Sequence, residues 1–213
     1  MQALRGPGNW PAVLPVLDRP TDAPVRGIAL RAAAGQHEPA IIDGLIGRLT
    51  TETDANRRRA YADLLTRVHR KPGPWVYWGY RPGPRPPNTI HWDRSATIAD
   101  ALDRVLADSD RFLRLAVLKR MQREKVPPRT ESLTRWLRDE RGDEAAGVIL
   151  DALRDAPAAE TRAALEAVVR EKGYGTSLRL RALASFASAL DAAQDFVIRP
   201  GGRQTPLTEP WKE

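Results

Sequence analysis

Four short segments constrain this chain most. PVRGIAL puts an arginine at 26, NRRRAYA at 58, FLRLAVL at 114 and SLRLRAL at 179. Each opens an apolar stretch at helical spacing, and the intervals between the arginines are 32, 56 and 65 residues. The last interval is about two units of 32, with Ala146 of DEAAGVIL in the missing slot; the middle one is one unit plus about 24 residues. A two-helix unit of this length cannot bury its apolar face alone, so neighbouring units must stack.

The apolar residues between the breakers recur at the helical period. Ile41, Ile42, Leu45, Ile46 and Leu49 make one face; Tyr61, Leu64, Leu65 and Val68 the next; Ile98, Leu102, Val105 and Leu106 another. Leu133, Trp136 and Leu137, then Ala146, Ile149, Leu150 and Leu153, then Leu165, Val168 and Val169, then Leu183, Phe186, Ala187 and Leu190 continue the pattern. No period-two run is long enough to be a strand. Asp22, Asp54, Ser95, Ser109 or Asp110, Thr130 and Thr176 stand where helices start, with oxygens that can take an orphan N–H. Pro127, Pro128 and Pro157 stand where helices must stop, since proline lacks the donor and clashes with the preceding turn.

The repeat resembles the HEAT family. The shared residues are the Asp-to-Arg start of the second helix, as in DAPVR ending at Arg26, and the small inner face of Ala29, Ala32 and Ala33. The resemblance implies an all-α fold, an α-solenoid of about five HEAT-like helix pairs over residues 1–198, followed by a tail or linker at 199–213. It also implies that Arg26, Arg58, Arg114 and Arg179 form a ladder between repeats rather than a ligand site.

The excess in the middle interval is KPGPWVYWGYRPGPRPPNTIHW, part of an insertion at 71–94 between the second and third repeats. It holds six of the 18 prolines and three of the six tryptophans, so it cannot be helix and favours polyproline II or turns. Segments too polar to fold are poor in aromatics, and this one is rich in them. Trp75, Tyr77, Trp78, Tyr80 and Trp92, with Arg81 and Arg85, form either a clasp folded against the helices or a binding element. As a clasp, the rings bury area and the arginines stack on them. As a binding element, Lys71, Arg81, Arg85 and Arg94 beside exposed rings suit a protein hot spot or single-stranded nucleic acid.

The insertion carries a narrower resemblance, over about residues 55–155. Trp78, Gly79, Tyr80, Arg81 and Pro82, then Asn88, Thr89 and Trp92, then ALDRVLAD, are similar to the HEAT region of bacterial PVC-type haem-binding or membrane-bound-dehydrogenase-like proteins. The family implies a larger extracytoplasmic redox protein, with a dehydrogenase-type propeller before the repeats and a c-type haem domain after them. The chain then reads as the middle of a longer polypeptide whose partners are its neighbouring domains or another protein. These residues hold no haem attachment motif, so no cofactor is expected on this chain.

Charge gives a second reading. The formal net charge is +7, and the excess of Lys and Arg lies before residue 126. A basic HEAT module for nucleic acid, with a DNA-glycosylase-like enzyme as its remote form, is the alternative. The chain has no cysteine, which removes thiolate metal sites and thiol nucleophiles from these residues. No run reaches the ~18 apolar residues that a spanning helix needs. The N-terminus lacks a secretory h-region, so the compartment is cytoplasmic as the sequence stands, and extracytoplasmic if the family resemblance holds. His37 beside Glu38 and His91 near Asp93 are too few ligands for a metal site. No catalytic constellation stands out, and a non-catalytic scaffold is the expectation.

Overall fold

The computed structural model of the chain describes residues 9–19, 23–79, 81–154 and 158–197, and within these the side chains of all but 78, 81, 82, 158–160 and 188–197. The expected cap at Asp22, the stop at Pro157, the tail at 199–213, Tyr80, and the side chains of Trp78, Arg81 and Leu190 lie outside the described residues. The chain is mostly helical and divides into two compact units, Met1–Trp136 and Leu137–Glu213.

The first unit opens with α1 (Trp10–Val13), which runs into a 3-10 helix, η1 (Leu14–Asp18). Then come α2 (Ala23–Ala33), α3 (Pro39–Thr51), α4 (Ala55–Val68), α5 (Ser95–Leu106) and α6 (Arg111–Arg123). Helix α7 (Thr130–Asp139) carries the boundary between the units. In the first unit α3 packs on α4 and α5 on α6; α3 also touches η1 and α5, while α4 touches α2 and α6. The helices thus form two layers, η1, α3 and α5 in one and α2, α4 and α6 in the other. The core between them is the periodic set: Ile41, Ile42, Leu45, Tyr61, Leu65, Ile98, Leu102, Leu106 and Leu118 are all buried. Trp10 is buried as well, and its indole Nε1 donates to Glu38 Oε2 at 2.6 Å. Gly44 lets η1 approach α3, because a Cβ there would stand 2.5 Å from Leu14 Cδ1. In the second unit α8 (Asp143–Leu153), α9 (Ala158–Arg170) and α10 (Thr176–Val197) follow, with α10 against both α8 and α9.

The caps follow local chemistry. Asp54 accepts from Arg57 N at 2.8 Å, and Asp110 from Phe112 N and Leu113 N at 2.9 and 3.0 Å. Ser95 is different from the expectation. Arg94 occupies the cap position of α5, and Ser95 turns its hydroxyl back toward α4.

The ladder arginines have definite partners. Arg26 of α2 lies 5.7 Å from the ring centre of Tyr61 on α4. Arg58 of α4 meets Asp108, in the turn after α5, at 2.6 Å. Arg114 of α6 lies 4.2 Å from the ring centre of Trp136 on α7. Each reaches forward to the following helix pair. Arg179 instead stays within its own pair, its Nε donating to Val169 O at 2.9 Å. The Arg58 hydrogen bond holds the Asp108 carboxyl below the ordinary carboxylate range. Arg58→Met is therefore expected to cost about 2 kcal/mol, the worth of a charge-assisted bond. It should also return the Asp108 titration, followed by NMR, toward the ordinary range. An unmoved Asp108 titration would show that the contact carries no energy.

The insertion is the main departure. It contains strands where none was expected: β1 (Lys71–Pro72), β2 (Tyr77–Trp78), β3 (Arg81–Pro82) and β4 (Asn88–Ile90). They form two short antiparallel ladders nested along one arm. Lys71 pairs with Ile90 and Pro72 with Asn88 at the foot; Tyr77 pairs with Pro82 and Trp78 with Arg81 at the tip. Gly73 N bonds Pro87 O at 3.2 Å and Gly83 N bonds Val76 O at 2.9 Å, continuing the pairing between the ladders. Runs of two or three residues are too short to show a period of two. Proline does not forbid them either, because both strands of a two-stranded ribbon are edges with one side free of ladder bonds. The tip turns at Gly79, whose φ of +64° is left-handed and suits glycine.

Candidate functional site

The arm grows from the end of α4, where helix geometry leaves the last carbonyls without partners. Four side chains bond the carbonyls at and just beyond that end. Asn88 Nδ2 donates to Arg67 O at 3.0 Å, Trp92 Nε1 to Val68 O at 2.9 Å, Ser95 Oγ to His69 O at 2.6 Å, and His37 Nε2 to Arg70 O at 3.0 Å. Ser95 Oγ also accepts from Trp92 N at 2.9 Å. Two of these donors, Asn88 and Trp92, belong to the insertion, and Ser95 follows it directly. The foot of the arm is therefore the C-terminal cap of α4.

Trp92 is the centre of the foot. Its half-buried ring meets His37 edge-on at 5.6 Å between centroids, and Lys71 Nζ sits 4.4 Å from its ring centre. Next to it His69 is buried, with His91 edge-on at 5.3 Å. Burial, with the positive fields of His91 and Arg70, pushes the His69 pKa down to about 4. Burial also lowers His37, against the raising effect of its bond to Arg70 O, with Lys71 and Arg85 adding to the decrease. Both imidazoles are neutral at pH 7.

The tip does the opposite. Trp75, Val76 and Tyr77 are 47, 56 and 68% exposed, on consecutive residues. Arg85 is exposed as well, on the returning side of the arm, within electrostatic reach of His37. The insertion thus divides in two: Trp92 is turned into the helices, while Trp75 and Tyr77 stand in solvent. Of the other cations proposed for binding, Arg94 is already engaged, its Nε and Nη2 each 2.9 Å from an oxygen of Asp43, and Lys71 covers Trp92.

A groove lies beside the foot, lined by Thr66, Arg67 and Arg70 from the end of α4, Pro87, Asn88 and Thr89 from the arm, and Arg123, Glu124 and Lys125 from the end of α6. Its volume is about 350 Å³. The sequence reading did not single out these cations. Their one visible signal is REKVPP, where a helix closes without glycine.

The other early candidates have structural partners. Glu38 receives the Trp10 indole and His37 the Arg70 carbonyl. Among the described residues no three His, Asp or Glu side chains gather as a metal would require, and no described helix is long and apolar enough to cross a membrane. Comparison with protein-family models gives no match, and comparison with curated proteins gives none either.

Proposed function

We propose that this chain is a non-catalytic HEAT-like scaffold that docks a protein surface with the tip of its arm. The carrying observation is the contrast within one segment: the foot is tied to α4 by three side-chain hydrogen bonds from Asn88, Trp92 and Ser95, while Trp75, Val76 and Tyr77 are exposed together at the tip. Fixing the foot removes part of the ordering cost of binding, and exposed Trp and Tyr are the side chains that dominate protein hot spots. The layered packing of the first unit, and the forward reach of Arg26, Arg58 and Arg114, support a solenoid of about five pairs as the frame. The resemblance of the insertion supports a parent protein of the haem-binding, dehydrogenase-like kind, in which the docked surface is a neighbouring domain or a partner protein. The competing nucleic-acid reading loses two of its four cations to Asp43 and Trp92.

The test places a photo-crosslinking amino acid at Tyr77 in the cells from which the gene comes. One dominant protein adduct is expected, absent when the same group replaces Leu180, which is 60% exposed on α10. The purified partner should bind the wild-type chain and lose at least about tenfold in affinity to Trp75→Ala with Tyr77→Ala, the effect of removing a hot spot. Nucleic-acid adducts, or equal labelling at both positions, would overturn the reading.

A further inference from the structure

We infer that the groove between the ends of α4 and α6 and the foot of the arm binds a compact oligophosphate, a ligand of nucleotide size carrying two or more phosphate groups. Arg67, Arg70, Arg123 and Lys125 line it together, and none of them is in an ion pair with a described residue. Its one acid, Glu124, already holds Arg120 at 2.8 Å. Among the described lining residues four cations therefore stand against one carboxylate that is already paired, and the excess positive charge is relieved by an anion among them.

Basic residues at a helix end ordinarily complement the dipole and bond the last carbonyls. That work is already done here. The last two carbonyls of α4, of Arg67 and Val68, are taken by Asn88 and Trp92, and those of His69 and Arg70 just beyond it by Ser95 and His37. At α6 the backbone closes its own end, with Val126 N on Met121 O at 2.9 Å and Lys125 N on Gln122 O at 3.2 Å. This pair of bonds is the Schellman closure, which places its next residue in the left-handed region and favours glycine there. Lys125 occupies that position with φ +55°. A lysine at a position where glycine fits better points to a use for its ammonium.

Phosphate fits these donors better than a single carboxylate does. Three guanidinium groups present planar forks that match phosphate oxygens, and the ammonium supplies a point charge. Thr66 and Thr89 line the same groove, the Thr66 hydroxyl already donating to Asp63 O at 2.9 Å. The volume of about 350 Å³ is at the small end of the range for ligand pockets, which favours a compact ligand over a long strand. This site goes beyond the docking role of the tip and uses none of its residues.

The experiment titrates the whole chain with inorganic tripolyphosphate and, separately, with ATP, by calorimetry at low salt. Saturable one-to-one binding is expected for at least one probe. ATP binding more tightly assigns a nucleotide, and tripolyphosphate equal to it assigns the phosphate chain alone; both support the site. Lys125→Gly should weaken binding about tenfold, the worth of one charge-assisted contact, with an unchanged or higher melting temperature. Arg70→Gln with Arg123→Gln should weaken it further. Lys172→Gln, which removes one charge from the other unit, should leave it unchanged. No saturation at millimolar probe, or an equal loss with Lys172→Gln, overturns the proposal. Binding only to oligonucleotides, with affinity rising with length, also overturns it, in favour of a strand track.

Discussion

Trp92→Ala is expected to lower the stability of the protein by about 3 kcal/mol, the low end for loss of a large aromatic because part of the ring is in water. In a chain of this size that is a fall of roughly 6–12 °C in melting temperature. The loss has three sources at one residue: the bond to Val68 O, the edge contact with His37, and the ring beneath Lys71. Trp92→Phe separates them. It keeps a ring under Lys71 but leaves the carbonyl without its donor, and should cost about 1 kcal/mol or a little more. Trp75→Ala should fall within about 0.5 kcal/mol of wild type, as exposed substitutions usually do. Thermal unfolding of the three variants decides the matter. If Trp92→Ala melts with the wild type, the foot of the arm does not hold α4.

Acid should unfold the protein from the same place. His69 is neutral in the folded chain, with its pKa near 4, and titrates near the ordinary 6.5 when unfolded. Above pH 6.5 neither state carries the proton and the group has no effect. Between 6.5 and 4 the unfolded state binds the proton and the folded state does not, so stability falls with pH. The loss amounts to about 3 kcal/mol by pH 4. His37 is shifted in the same direction and adds to it. Urea unfolding between pH 7.5 and 4 measures the slope. His69→Gln should flatten that slope whatever it does to the absolute stability at pH 7.5, and an unchanged slope would assign the acid sensitivity elsewhere.

Both effects sit on residues whose importance was only half legible in the sequence. Trp92 stood out as one aromatic among several. Nothing in the order of residues distinguishes it from Trp75, yet one caps a helix and the other is in solvent. The difference comes from distance in space: Trp92 lies 24 residues from the carbonyl that it bonds. His69 reads as a polar residue after an apolar face, and only its burial, with His91 edge-on and Arg70 nearby, makes it a buried neutral base. The cations of the groove come from segments more than 50 residues apart, each of which reads alone as an ordinary basic helix end.

The sequence by itself determined the helices, most of their buried faces and some of their ends. In α10 the expected face is wrong, since Leu183 is 46% exposed while Leu178 and Ala182 are buried, and Thr130 and Thr176 are first helical residues rather than caps. Periodicity, capping oxygens and prolines act over a few residues, and local spacing is all that they require. Asp54 and Asp110 cap as their positions foretold, and Ile41, Leu45, Ile98 and Leu102 are buried as their spacing requires. The tertiary structure decided the rest. It split the chain at residue 136, where the sequence continues through a helix without a breaker. It turned a proline-rich stretch into a ribbon, moved Ser95 from capping its own helix to closing another, and sorted the aromatics into a fixed foot and an exposed tip. These outcomes depend on which backbone groups at the end of α4 are left unbonded and which side chains can reach them. That is a matter of approach between distant segments, and no local pattern encodes it.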